Sequence, residues 1–111
     1  MTDPRQAAAQ SAAEVLDADF FRALCEPVRI ELLRRLIAAG RADIAAISEA
    51  LPQDRSVISR HLQVLRRAGI VTADRDGRHV YYQLNGPAVV AKLEAITDTL
   101  RRIVPDCCPG A

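Results

Sequence analysis

Aromatic side chains are scarce in this chain: two Phe, two Tyr and no Trp. A core must therefore be assembled from Leu, Ile, Val and Ala. Half of the 111 residues are hydrophobic, enough for one small domain. Long apolar runs are missing as well. No stretch approaches the ~18 residues of a membrane span. Residues 1–15 mix Asp3, Arg5 and Glu14 with alanines and lack the apolar centre of a secretion signal. The expected location is the cytoplasm, with no membrane partner. The three cysteines are too few for a disulfide framework and are expected as free thiols there. Lysine is nearly absent: of 15 basic side chains, all but Lys92 are arginine. A GC-rich genome would produce that bias as readily as a need for arginine at phosphates and base edges. Catalytic devices are missing too. There is no Gly-rich phosphate loop, no nucleophile beside a base, and no Cys/His cluster with zinc spacing, so an enzyme is not expected.

The net charge of +1 excludes any whole-chain argument for nucleic acid. The distribution supports a local one. Residues 55–80 hold six arginines (Arg55, Arg60, Arg66, Arg67, Arg75, Arg78) against Asp74 and Asp76, a local net of +4. The remainder has nine bases against twelve acids. A basic patch on a near-neutral protein is the footprint of local phosphate contact.

Periodicity orders the chain. Residues 1–15 are polar and Ala-rich, with Pro4, and are expected as a flexible segment or frayed helix. A short helix is predicted over 17–24, broken by Cys25-Glu26-Pro27. A second runs over 27–39, with Ile30, Leu33, Leu36 and Ile37 at helical spacing, and Gly40 stops it. Asp43 can cap a third over 44–51. After Pro52-Gln53-Asp54, with Asp54 or Ser56 as cap, a fourth helix reaches Ala68 with Ile58, Leu62 and Leu65 apolar. Segments 70–73 and 79–84 are rich in β-formers around an Asp76-Gly77 hairpin signal. A last helix is predicted from Asn85-Gly86-Pro87 to Val104. Its apolar positions Val89, Leu93, Ile96, Leu100 and Ile103 form a narrow, heptad-like stripe, the shape of a helix–helix seam. Pro105 and Pro109 are expected to end it and leave residues 105–111 as a stiffened tail. The fold expected is mainly α with a β-hairpin wing, a winged helix-turn-helix in the order α-α-α-α-β-β-α over residues 16–104.

The helix over 54–68 carries the chemistry. No acid lies between 55 and 68. Opposite its apolar stripe stand Ser56, Ser59, Arg60, Gln63 and Arg67, with Arg55 at its start. Small side chains allow close approach to a groove floor. Arginine pairs bidentately with guanine, and serine bonds a base edge or a phosphate. Arg75 and Arg78 flank the hairpin tip and could reach the adjacent backbone or minor groove. His61 sits at the boundary of core and groove, as a structural hydrogen-bonding residue or a base reader. An ordinary solvated helix and a merely solubilised turn are the bland alternatives. The helix-turn-helix order, the wing and the charge asymmetry together weigh against them.

Four segments resemble the ArsR/SmtB family of winged-helix repressors: Ala23-Leu24-Cys25-Glu26-Pro27-Val28-Arg29, Ser56-Val57-Ile58-Ser59-Arg60-His61-Leu62, Leu65-Arg66-Arg67-Ala68-Gly69-Ile70-Val71 and Gly77-Arg78-His79-Val80-Tyr81-Tyr82-Gln83-Leu84. The likeness covers roughly residues 16–104. It implies a homodimer held by the first and last helices, with Phe20 and the stripe Val89, Leu93, Ile96, Leu100 and Ile103 as interface. It also implies an inverted-repeat operator and release by an inducer. One family sensing site places a cysteine at the start of the third helix, where this chain has Asp43, Ile44 and Ala45. A second holds zinc-type ions with Asp, His and Glu, where this chain has Gly86, Ala88, Thr99 and Arg102. Neither set is a plausible ligand group here.

What remains is Cys25, Cys107 and Cys108. Adjacent cysteines close an ordinary disulfide only with strain. Two thiolates can instead chelate a soft ion, and a third completes an S₃ set suited to As(III) or Sb(III). The vicinal pair resembles that of arsenite- or antimonite-responsive members, which usually carry a third tail cysteine; here Cys25 would have to supply it. The expected inducer is As(III) or Sb(III), with no catalytic cofactor. Two other readings stay open: a repressor sensing oxidation or reactive sulfur through the same thiols, and a winged-helix interaction module with no DNA role.

Overall fold

A computed structural model describes residues 3–110. Met1, Thr2 and Ala111, which fall in the expected flexible start and tail, lie outside the described residues. The chain divides into two compact units, one of residues up to 18 together with 87 onward, the other of residues 19–86.

The larger unit contains the winged helix-turn-helix. Helix α2 (Ala18–Leu24) enters it from the boundary residue, and α3 (Pro27–Ala39) starts on Pro27, where a missing N–H costs nothing. A two-residue strand β1 (Ala42–Asp43) leads into α4 (Ile44–Glu49), capped by the Asp43 carboxylate, which accepts from the Ala46 amide at 2.9 Å. A short turn leads to α5 (Arg55–Arg67), with Asp54 at the cap position but making no side-chain cap bond. Gly69, at φ 77°, lets the chain leave α5 in the left-handed region that a side chain would resist. Strands β2 (Val71–Asp76) and β3 (His79–Leu84) form the expected hairpin around Gly77, at φ 63°.

On α5 the apolar spacing read from the sequence is the spacing that is buried; on α3 the reading is corrected, because Leu33 and Leu36 are buried together with Leu32 while Ile30 and Ile37 stand exposed. Ile58, Leu62 and Leu65 of α5 are each fully buried, as are Leu32 and Leu36 of α3, and Ile47, Ile70, Val71 and Tyr82 are nearly so. Complete burial of a Leu or Ile side chain is worth about 1.5–3 kcal/mol, so α5 is held by its apolar face while its charged face stays out. The sheet order is β1-β3-β2, all antiparallel, with Asp43 opposite Tyr81 and Ala73 opposite Tyr82.

The other unit consists of α1 (Pro4–Val15) and α6 (Gly86–Cys107), which begins at the boundary residue. Its Lys92 ammonium donates to Asp17 at 3.1 Å.

The structure corrects the sequence reading in several places. Over residues 16–104 the expected order holds with one short strand, β1, added before α4. Residues 4–15 are a helix: Asp3 accepts from the Arg5 amide, Pro4 occupies the first turn, and five alanines favour the helical state. β1 was unreadable because two residues carry no period; it exists only through pairing with β3. α4 stops at Glu49. α6 does not end before Pro105 but continues through it to Cys107, and the Cys108 amide still donates to the Val104 carbonyl at 2.8 Å. A proline so near a helix end removes one hydrogen bond without stopping the last turn. The cysteine pair thus sits on a helix end rather than on a stiffened tail. Among the described residues no helix is long and apolar enough to cross a membrane.

Leu62→Ala should lower stability by about 2–5 kcal/mol, measured as a reduced urea midpoint, because Leu62 is fully enclosed on the core side of α5.

Candidate functional site

The exposed face of α5 keeps the composition that the sequence suggested. Arg55, Ser56, Arg60 and Arg67 are exposed, and Ser59 and Gln63 are half-buried. Arg60 curls back so that its Nε donates to the Ser56 carbonyl at 3.4 Å. Between the start of α5, the start of α4 and the wing lies an open cleft of about 400 Å³, lined by Asp43, Arg55, Ser59, Arg78, His79 and Tyr82 among others. The structure therefore gathers Arg55, Ser59 and Arg78, which are far apart in sequence. Arg67 is placed elsewhere, with Asp19, Arg22 and Ala23 around a cleft of about 260 Å³ at the other end of α5.

The wing sorts its charges by pleat. Cross-strand pairs share a face. Val71–Leu84, Ala73–Tyr82 and Arg75–Val80 make one face, and Thr72–Gln83, Asp74–Tyr81 and Asp76–His79 the other. The first includes buried Val71 and Tyr82, so it is the face turned to the core, and Arg75 extends it at the tip. Both acids of the basic stretch lie on the opposite face. There Arg41 stacks on the Tyr81 ring, its guanidinium carbon 4.1 Å from the centroid, and reaches Asp76 at 3.8 Å. Arg75 thus stands on a face of the hairpin that carries no acid, while Asp43 lines the cleft beside Arg55.

Two residues that the sequence left unremarked as a pair anchor this wing. His79 Nδ1 lies 2.9 Å from Asp43 Oδ2, so the residue that caps α4 also holds β3. The Ala46 amide is the main cause that lowers the Asp43 pKa; burial opposes it, and the His79 hydrogen bond and charge and the Arg55 charge lower it further. Asp43 matched a family cysteine position, but nothing in its own sequence neighbourhood signalled His79.

His61 is engaged inside the protein. Its Nδ1 faces Arg29 Nη1 at 3.2 Å. Arginine has no acceptor, so Nδ1 must accept and the ring proton sits on Nε2.

Cys107 and Cys108 are both exposed, with their sulfurs 3.3 Å apart. The hydrogen bond to Cys108 pushes the Cys107 thiol pKa up, helped by burial and by the charge of Asp106. Cys25 is exposed and belongs to the winged unit. Among the described residues no three His, Cys, Asp or Glu side chains stand together as a metal-holding group. Of the expected seam, Leu93 and Leu100 are exposed, Val89 and Ile103 half-buried and Ile96 buried. Phe20 is corrected: it is 2% exposed and offers a partner almost nothing, whereas Phe21, edge-on to it, is 42% exposed. Helical patterning did not distinguish the two neighbouring rings.

Comparison with known proteins places these features. A family model described as a helix-turn-helix domain matches residues 24–73. The arsenical resistance operon repressor of Escherichia coli is 31% identical over 107 residues, 86% of this chain and 92% of that protein. A crystal structure of a possible transcriptional regulator for arsenical resistance superposes with a TM-score of 0.64 at 37% identity, covering 81% of this chain and 97% of that one. The homodimeric winged helix-turn-helix DNA-binding domain of a possible ArsR-family regulator from Mycobacterium bovis superposes with a TM-score of 0.60 at 28% identity, covering 92% and 88%.

The depressed Asp43 pKa fixes the sign of a pH effect. Its contribution is complete above the unfolded aspartate value of ~3.9 and disappears as pH falls through the lower folded value. Asp43→Ala should therefore melt earlier than the parent at neutral pH, and thermal melts of the two should converge well below pH 4.

Proposed function

Since the chain belongs to the ArsR/SmtB family of winged helix-turn-helix transcriptional repressors, we propose that it is a homodimer on an inverted-repeat operator, released when As(III) or Sb(III) binds Cys107 and Cys108, with Cys25 as third thiolate. The observation that carries the sensing half is the pair of exposed sulfurs 3.3 Å apart on the end of α6. The observation behind the DNA half is the acid-free face of α5 beside a wing whose acids point away.

On DNA, α5 enters the major groove. Ser56, Ser59, Arg60 and Gln63 face base edges, Arg55 and Arg67 reach backbone at its two ends, and Arg75 and Arg78 extend the contact through the wing. Two such helices one DNA turn apart, about 34–36 Å, require a dimer. The apolar positions that α6 leaves exposed, Leu93 and Leu100 with Val90 and Val104, supply a surface for the second copy, with Val89, Ile96 and Ile103 along the same stripe.

A metalloid hydroxide and a metal cation balance the thiol protons differently. A cation must displace them before it binds. Trivalent arsenic arrives as a neutral hydroxide. Each As–S bond forms as an As–OH bond breaks, and the thiol proton leaves with that hydroxide as water, with no change of oxidation state. Sb(III) hydroxide reacts in the same way. The resistance names of the relatives agree with this class. Differential binding of only ~1–3 kcal/mol between the DNA-bound and free states makes a useful switch.

The test is a gel shift on the operator with the double variant Cys107→Ser, Cys108→Ser. It should bind DNA as the parent does and fail to let go when arsenite is added. Release by arsenite in the double variant would remove the sensing site.

A further inference from the structure

Helix α2 ends with carbonyls that have no partner in the helix, as every helix does. Two of them are taken by one side chain. Arg29, two residues into α3, donates from Nε to the Ala23 carbonyl at 2.6 Å and from Nη2 to the Arg22 carbonyl at 2.9 Å. Its third nitrogen, Nη1, faces His61 Nδ1 at 3.2 Å. A planar guanidinium with fixed donor directions can satisfy three acceptors only if all three are held in its fork. Arg29 thus ties the end of α2, the start of α3 and the middle of α5 into one geometry.

His61 has a particular place on α5. It flanks the buried stripe of Ile58, Leu62 and Leu65, three residues after Ile58, and follows Arg60 directly. The apolar stripe holds the helix against the core, but hydrophobic contact is non-directional and resists rolling about the helix axis only weakly. The Arg29–His61 bond is directional. A roll of α5 would leave its buried leucines largely covered while moving Ser59, Arg60 and Gln63 off the base edges that the proposed function, on which this inference rests, assigns to them.

We infer that Arg29 and His61 are positioning residues for sequence reading: their bond fixes the roll of α5, and His61 serves the groove from inside the protein rather than by touching a base. Phosphate contacts carry no sequence information and tolerate small displacements; base-edge contacts do not. Loss of the bond should therefore fall on specific binding and spare non-specific binding.

The test uses two duplexes, one selected from a randomised pool by the unsubstituted protein and one of scrambled sequence with the same length and composition. His61→Leu leaves both carbonyl bonds of Arg29 in place and removes only the link to α5, so it separates aiming from folding. It should keep the parent's melting temperature within a few degrees, lose affinity for the selected duplex by about tenfold, and hold the scrambled duplex within about twofold. His61→Asn, with an amide oxygen near the place of Nδ1, should restore most of the selected-duplex affinity. In the His61→Leu background Arg29→Lys should lower the melting temperature, because it also gives up the two carbonyl bonds, but should add little to the loss of discrimination between the two duplexes, since on α5 both residues act through one bond. Three results would overturn the inference. One is unchanged selected-duplex affinity in His61→Leu. Another is an equal fall on both duplexes. The third is fully additive losses in the double variant, which would make His61 a reader in its own right.

Discussion

The guanidinium of Arg29 holds together what the winged unit needs to keep in register. α2, α3 and α5 meet around a core of aliphatic side chains that is tight but has few directional contacts. Against that background a single fork-shaped donor, bonded to two carbonyls and one imidazole, supplies direction. The Arg22 carbonyl also accepts the Cys25 amide at 3.2 Å. The segment that carries the proposed third thiol therefore shares an acceptor with the residue that aims α5.

The second constraint is charge placed by pleat. A two-residue alternation decides that Asp74 and Asp76 stand on one face of the wing and Arg75 on the other. Arg41 and His79 then occupy the acidic face, and Asp43 closes the arrangement by capping α4 and holding His79 at once. The near-neutral total charge and the basic α5 face are compatible because the surplus of acids lies outside residues 55–80. Steered association with DNA depends on that local field and not on the sum.

Much of this was legible in the sequence because the relevant periods are long. Ile58, Leu62 and Leu65 announced the buried face of α5, and Asp76-Gly77 announced the hairpin. Short or purely tertiary features were not legible. β1 is two residues long and owes its state to β3. Pro105 read as a stop, yet a proline near a helix end interrupts little. Residues 4–15 read as a flexible segment or a frayed helix because their pattern is polar, and their alanines settle it in favour of a helix. Phe20 and Phe21 are neighbours of one type, and only packing tells which ring is covered. The Arg29–His61 and Asp43–His79 pairs join residues more than thirty positions apart, and no local signal joins them. In the site, the α5 face was readable by composition. The closeness of the two tail sulfurs was implied by adjacency, and the sorting of the wing's acids required the strand register.

In the proposed complex arginines on α5 and the wing bind the DNA, so the most direct measurement is the affinity for a selected duplex across a series of salt concentrations. The logarithm of affinity should fall linearly with the logarithm of salt, at a slope of about −0.9 for each phosphate neutralised, and replacing Arg78 by Ala should make that slope shallower by about one phosphate's worth. A flat salt dependence, or a slope untouched by removing Arg78, would contradict it.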